Sequence, residues 1–111
     1  MTAPPPAPFA TQLRADRAPI TIAEPGPGVL TIRVQAADVW ETVRVIAPAD
    51  TPVAEIKRRV VERIFPNQGV DDFVLKLRGW EMLDERESLA SAGVMNGAIL
   101  LLAIRRRRPV R

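Results

Sequence analysis

The sequence predicts an α+β domain in which a mixed sheet of four to five strands packs against one main helix. Three observations support this prediction. Two runs of alternating apolar and polar residues follow each other between residues 29 and 46, and a period of two is typical of strands with one buried side. Between residues 53 and 64, apolar residues recur at three- and four-residue spacing, as on an amphipathic helix. Further strand-like runs follow and end in the apolar segment 99–104.

The first two runs predict a β-hairpin. In the first strand, which begins at Val29, apolar residues fall on one face and Thr31, Arg33 and Gln35 on the other. Residues 36–38 form a short connection, and the second strand extends over residues 39–46. We expect Trp40 to flank the hairpin as part of that strand. Two successive half-buried strands with a short connection favour antiparallel pairing.

The helix has recognisable start and stop signals. Asp50 or Thr51 can accept hydrogen bonds from the free amides of the first turn, and Pro52 suits the first helical position. Pro66 then ends the helix. The apolar side that should face the sheet comprises Val53, Ile56, Val60, Val61 and Ile64. The arginines at 58, 59 and 63 alternate with glutamates at spacings that favour ion pairs, so we interpret them as a solvated helix face rather than a binding site.

The remainder of the chain predicts three more strands. Phe73, Leu75 and Leu77 alternate with Val74, Lys76 and Arg78 in a strand closed by Gly79, and Trp80 to Leu83 form a short fourth strand. Turns at glycine and asparagine residues then lead to the last strand, Ile99 to Ile104. The order hairpin, helix, strand, short strand, last strand is that of the β-grasp topology.

Individual residues also resemble ubiquitin, in matching order and near-matching spacing over roughly residues 29–105. They are Pro48-Ala49-Asp50-Thr51 before the helix, Ile56-Lys57 within it, Leu75 to Gly79, Leu83, Leu89, Gly93-Val94 and Leu100 to Leu102. The segment LDERESLASAGVMNGAILLL is also similar to ubiquitin-like accessory proteins and domains of bacterial type VII secretion systems. The resemblance implies a ubiquitin-like β-grasp fold and a role in binding other proteins.

Two departures from ubiquitin limit what the resemblance implies. Conjugation needs a C-terminal diglycine, whereas the sequence ends in RRRRPVR and has no glycine after Gly97; we therefore expect no ubiquitin-style conjugation. Lys76 falls at the central isoleucine of the apolar surface that ubiquitin presents to its receptors, and Ala103 falls near its valine. We expect this sheet face to be more polar and basic, and not to be recognised by ubiquitin receptors.

The composition divides the chain into three parts. Residues 1–27 contain seven of the eleven prolines and predict a Pro-rich flexible arm; alternatively, residues 9–13 or 20–22 form a binding motif or add a strand to a sheet edge. Residues 28–105 form the ubiquitin-like domain. Residues 106–111 form a basic tail. Five of the sixteen basic residues lie in residues 105–111, so the net charge of +3 belongs to the tail.

The missing residue types argue against catalysis. The chain contains no histidine, cysteine or tyrosine, which removes the commonest general base and the imidazole and thiolate metal ligands. We expect no enzyme activity, no cofactor and no metal. There is neither a recognisable secretory signal nor an apolar run of the roughly 20 residues that span a membrane. We therefore expect a soluble cytoplasmic protein without a membrane span.

The favoured hypothesis is a non-conjugated interaction module, and its narrower form is an accessory of a bacterial assembly such as type VII secretion. Its expected partner-binding residues are Arg33, Arg44, Lys76, Arg78, Trp80, Leu101, Arg105, Arg106, Arg107 and Arg108. Trp80 alternatively covers the edge of the core. One rival hypothesis is nucleic-acid or acidic-partner binding through the arginine tail. Another is a modifier in a bacterial ubiquitin-like pathway with an atypical C-terminus.

Overall fold

A computed structural model of the chain describes residues 18–105. Within that range it has one α-helix, one 3-10 turn at Val70–Asp72 and six strands. The helix, α1, spans Val53–Ile64. The strands are β1 Ile20–Thr21, β2 Val29–Ala36, β3 Glu41–Pro48, β4 Phe73–Leu77, β5 Trp80–Glu81 and β6 Ile99–Ile104. None of the helical segments in this part of the chain has the length and apolar character needed to cross a bilayer.

All six strands join one mixed sheet in the order β1-β3-β2-β6-β4-β5. β2 and β3 form the predicted antiparallel hairpin, and β6 lies in the middle, parallel to β2 and antiparallel to β4. The helix follows the hairpin and covers one face of the sheet, where its buried residues join the core. One helix on a mixed sheet confirms the predicted α+β class.

The sheet has six strands where the sequence predicted four to five. The additional strand, β1, lies within the segment 1–27 that was interpreted as an arm, and it pairs in parallel with β3. Ile20 is buried in the core, and the Arg63 guanidinium donates to the Ala18 carbonyl at 2.8 Å. A two-residue strand is too short to show an alternating pattern in the sequence. The alternative interpretation of residues 20–22, as a strand added to a sheet edge, corresponds to β1.

The core lies between α1 and the inward side of the sheet. Its largest fully buried side chains are Phe73, Ile32, Ile56, Leu75, Leu89, Leu100 and Leu102. Phe73 also stacks on Phe65, with ring centroids 4.8 Å apart. The predicted apolar side of the helix is buried except at its end, where Ile64 is half-buried. Alternation in β2 and β3 likewise follows the prediction, since Val34, Val43 and Val45 are buried.

The hairpin turn lies later than predicted. Residues 37–40 form the turn, and β3 begins at Glu41. Trp40 is therefore not a strand residue: it lies in the turn with φ of 56° and is 92% exposed. Its left-handed backbone is unusual for a bulky residue. The second strand was predicted to begin at Val39 because Val39 and Trp40 are apolar, although both lie in the turn.

The start of the helix differs from the predicted side-chain cap. Pro52 is the N-cap residue, and no side chain caps the helix. Instead, the amides of Val53 and Ala54 donate to the carbonyls of Glu87 and Glu85, each at 2.8 Å. A distant loop therefore satisfies amides that would otherwise lack partners, and the local sequence around Asp50 and Thr51 could not reveal this.

Lys57 is the buried charge of the domain. Its side chain is 4% exposed, and its Nζ donates to Glu85 Oε2 at 2.7 Å and to the Phe73 carbonyl at 3.1 Å. Both hydrogen bonds tie α1 to other parts of the chain, one to the loop after β5 and the other to the start of β4. Since Glu85 also supplies a carbonyl to the helix N-terminus, the helix and this loop hold each other in place.

We expect Lys57→Met to destabilise the domain by about 3 kcal/mol, because removing one partner of a buried ion pair leaves the other without compensation. Arg58→Met, on the exposed side of the same helix, should cost less than about 1 kcal/mol. Urea denaturation of both variants measures the difference. Equal losses would show that the Lys57 hydrogen bonds do not stabilise the fold.

Candidate functional site

The sheet surface opposite α1, called the outer face below, collects four of the expected binding residues. Arg44 lies directly opposite Arg33, and Arg33 lies beside Ile99. In the adjacent row, Gln35 lies beside Leu101, and Leu101 lies beside Lys76. Because residues two apart on a strand share a face, the register brings Arg33, Arg44, Lys76 and Leu101 together.

The outer face carries three cations that form no ion pair within the described residues, and the carboxylates of Asp38 and Glu81 lie at one end of it. No carboxylate within the described range forms a salt bridge with Arg33, Arg44 or Lys76. Like charges directly opposite each other on neighbouring strands destabilise a sheet, so the Arg33 and Arg44 pair works against folding. These cations are free to meet negative charge on another molecule.

One end of the outer face forms a shallow depression of about 610 Å³. Its floor includes the small side chains of Ala37 and Ala103, and Lys76 lies at its side. Glu81 also lines it, and its Oε2 lies 3.3 Å from Arg105 Nη2. Lys76 and Ala103, which were expected to share one sheet face, thus lie on one surface. Arg105 forms an ion pair with Glu81. Arg106, Arg107 and Arg108 lie outside the described residues.

Trp80 does not belong to the outer face. It lies opposite Leu77, whereas Lys76 lies opposite Glu81, and cross-strand partners project to the same side. Leu77 packs against the core, so Trp80 projects toward the helix side of the sheet, beyond its edge. At 79% exposure it does not cover the core. Arg78 lies in the turn between β4 and β5 and lines a groove with Trp80.

Sequence reasoning did not name Ile99 as a binding residue, although it is 51% exposed in the outer face. The alternation of the last strand held the signal: if Leu100 and Leu102 face the core, Ile99 and Leu101 must face outward. Leu83 was also not named, and it is 81% exposed next to the groove of Trp80. Both were interpreted only as residues of predicted strands.

Arg58 and Arg59 form ion pairs, as expected for a solvated helix face, whereas Arg63 donates to the Ala18 carbonyl. Glu55 Oε2 accepts hydrogen bonds from Arg58 at 2.7 Å and from Arg59 at 2.8 Å. The hydrogen bonds from Arg59 and Arg58 lower the pKa of the Glu55 carboxyl below its ordinary value of 4.5. These guanidinium groups are engaged within the helix and are not free for a partner.

Comparisons with solved structures identify the fold. Ubiquitin from Caldiarchaeum subterraneum superimposes with a TM-score of 0.62 at 21% identity, covering 72% of this chain and 98% of that one. A de novo design based on ubiquitin gives 0.61 at 22% identity, covering 78% and 100%. The ubiquitin-like domain of an Arabidopsis thaliana protein gives 0.60 at 13% identity, covering 81% and 92%. No protein-family model and no curated protein matches the sequence. The chain thus has the predicted ubiquitin-like β-grasp fold.

The lowered pKa of Glu55 predicts a pH-dependent contribution to stability. A carboxyl whose pKa is lower in the folded state stabilises the fold above its unfolded pKa, and the contribution is lost as the pH falls through the folded pKa. We expect Glu55→Gln to be less stable than wild type at pH 7, with the difference closing below an ordinary carboxyl pKa of 4.5. Thermal melts across pH measure it, and Glu24→Gln, at an exposed position, should show no such trend.

The turn between β4 and β5 predicts a stabilising substitution. Arg78 and Gly79 both have positive φ, 54° and 85°, as a two-residue type I′ turn requires, and asparagine is favoured at the first of these positions. Arg78→Asn should raise the free energy of unfolding by about 1 kcal/mol, since bulky residues are strained there. Arg86→Asn, in an exposed loop, should change it little. A destabilised Arg78→Asn protein would show that Arg78 makes a compensating contact.

Proposed function

We propose that this chain is a non-enzymatic protein-interaction module that docks through its outer face onto an acidic surface of another protein. The observation that carries the proposal is the sheet register, which groups three cations without ion-pair partners, Arg33, Arg44 and Lys76, around Ile99 and Leu101. An apolar centre with charged surroundings is the usual composition of a protein interface.

The charges support an acidic partner. A surface with three free cations repels another basic surface and steers an acidic one toward it. Contact with carboxylates of a partner would also relieve the repulsion between Arg33 and Arg44. Two arginines at these positions thus favour binding of an acidic partner, although they destabilise the sheet of the free domain. The same charge disfavours stacking of two outer faces from two copies of the chain.

A protein partner is favoured over a nucleic acid. Sequence-tolerant binding to single strands depends on aromatic side chains on which bases stack, and the outer-facing positions of the described strands carry none. The aliphatic Ile99 and Leu101 at the centre suit apolar side chains of a protein. A purely phosphate-directed contact would leave these two residues unused.

Two further features belong to the proposal. The absence of histidine and cysteine from the sequence supports a role without catalysis. The likeness of residues 83–102 to ubiquitin-like accessory proteins of type VII secretion supports a cytoplasmic bacterial assembly as the setting. A neighbouring gene for a secretion ATPase would strengthen that narrower assignment, and a neighbouring activating enzyme would oppose it.

Affinity capture from native cells tests the outer face. The full chain should retain specific proteins that are lost from Arg33→Glu and Lys76→Glu, because reversing a charge at an acidic contact replaces attraction by repulsion. Arg86→Glu is the matched control: Arg86 is exposed on a loop away from the outer face, and its variant should keep every partner.

The capture is repeated after nuclease treatment. Proteins that remain bound support direct protein contact, whereas loss of all of them would assign the cations to nucleic acid. Retention of the same proteins by both charge-reversal variants would show that the outer face is not the docking surface. Circular dichroism of each variant confirms that the fold is intact.

A further inference from the structure

A groove on the helix side of the sheet is separate from the outer face. It has a volume of about 480 Å³, and its apolar lining includes Leu77, Met82 and Ala92, which are half-buried or buried. Trp80 and Leu83 stand beside this lining at 79% and 81% exposure. The groove therefore combines an apolar floor with two large side chains that remain in water.

The exposure of Trp80 and Leu83 has no role in holding the fold. A single exposed apolar residue is ordinary, but two large ones, three positions apart and beside a shared apolar floor, form a contiguous surface of the kind that marks binding sites. Tryptophan is also among the residues that contribute most to interface energy.

Charged side chains of opposite sign lie at different parts of the groove rim. Arg78 lies at the end formed by the turn between β4 and β5, and Asp84 and Glu87 lie among the residues that line the groove after β5. Glu87 forms no ion pair within residues 18–105. Asp84 Oδ1 accepts a hydrogen bond from the Arg86 amide at 3.1 Å and lies 3.5 Å from Arg86 Nε; such an exposed ion pair contributes little. The acidic residues are available to a cation.

The ends of the described chain lie away from the groove. β1 is five strand spacings, about 24 Å, from β5 at the opposite edge of the sheet. β6 ends at the side of the sheet opposite to the turn at Arg78, because β6 is antiparallel to β4. Within residues 18–105, neither β1 nor the end of β6 therefore lies in the groove.

A second copy that inserted its most exposed apolar side chain would be a poor occupant. Its most exposed apolar side chain is Trp40, at 92%, but this residue lies in the turn that contains Asp38. Bringing that turn to the groove would place Asp38 near Asp84 and Glu87, so like charges would oppose the contact. An occupant that matches the groove must present a cation beside its apolar group.

We infer that the groove is a second docking site, which takes a segment of a partner protein with a large apolar side chain next to lysine or arginine. The apolar side chain packs between Trp80 and Leu83, and the cation lies toward Asp84 and Glu87. The groove is separate from the outer face, and it prefers a partner of the opposite charge. The domain therefore binds an acidic surface through the outer face and a basic apolar segment through the groove.

Peptide selection tests this inference without a known partner. The immobilised full chain selects from a random displayed peptide library, and Trp80→Ala protein removes peptides that bind elsewhere. The enriched sequences should pair a leucine or aromatic residue with lysine or arginine. A synthetic peptide of the enriched sequence should lose about tenfold or more in affinity, by calorimetry, for Trp80→Ala and Leu83→Ala.

Matched variants separate the groove from the rest of the surface. Glu87→Lys should weaken peptide binding, whereas Glu24→Lys, an equally charged change at the far edge of the sheet, should not. Trp40→Ala removes an even more exposed tryptophan and should leave the peptide affinity unchanged. Lys76→Glu should also leave it unchanged, so failure of the outer face and failure of the groove are distinguishable.

Several results would overturn the inference. Enriched peptides that are acidic, or that bind Trp80→Ala as tightly as wild type, would place binding elsewhere. A molecular mass that rises with concentration for wild type but not for Trp80→Ala would assign the groove to a second copy. In a Trp40→Phe background, protection of Trp80 fluorescence from acrylamide before peptide is added would show that the chain itself fills the groove.

Discussion

The mutual attachment of α1 and the loop after β5 is the constraint on which the rest of the domain depends. The carbonyls of Glu85 and Glu87 in this loop accept hydrogen bonds from the first amides of the helix. In the other direction, the Lys57 ammonium on the helix donates a hydrogen bond to the Glu85 carboxylate. Since Lys57 also reaches the Phe73 carbonyl, one side chain fixes the helix against both the loop and β4. Both proposed docking surfaces are built on strands or loops that this attachment holds.

The two surfaces differ because the sheet has two sides with different neighbours. Within residues 18–105, no helix or strand packs on the outer face, and Arg33, Arg44 and Lys76 form no ion pair there. On the helix side, Trp80 lies on the outermost strand and is largely exposed, beside rather than within the core. The two sites carry opposite charges because of surface residues that do not pack in the core: cations on the outer face, and Asp84 and Glu87 at the groove. A scaffold shared with ubiquitin therefore carries chemistry that the fold does not dictate.

Patterns within a short stretch of sequence predicted the fold well, and contacts between distant stretches limited the prediction. The helix side, the hairpin and β6 follow from local periods of 3.6 and 2. Lys57 was missed because a buried lysine depends on a carboxylate twenty-eight residues away. The grouping of Arg33 with Lys76 needs the register of β2, β6 and β4, and the side on which Trp80 projects needs the pairing of β5. Neither is encoded by nearby residues.

The outermost strands of the sheet, β1 and β5, contain only two residues each. The eight-residue β3 would otherwise present a long row of unpaired amides and carbonyls to other molecules, and β1 covers part of it. Unpaired strand edges of that length nucleate cross-β aggregates, and natural proteins avoid them with short or interrupted borders. Both borders of this sheet are of that kind, with Pro19 preceding one and the Arg78–Gly79 turn preceding the other. Both outermost strands therefore offer little unpaired backbone for edge-to-edge association, although apolar side chains such as Trp40 and Trp80 are exposed.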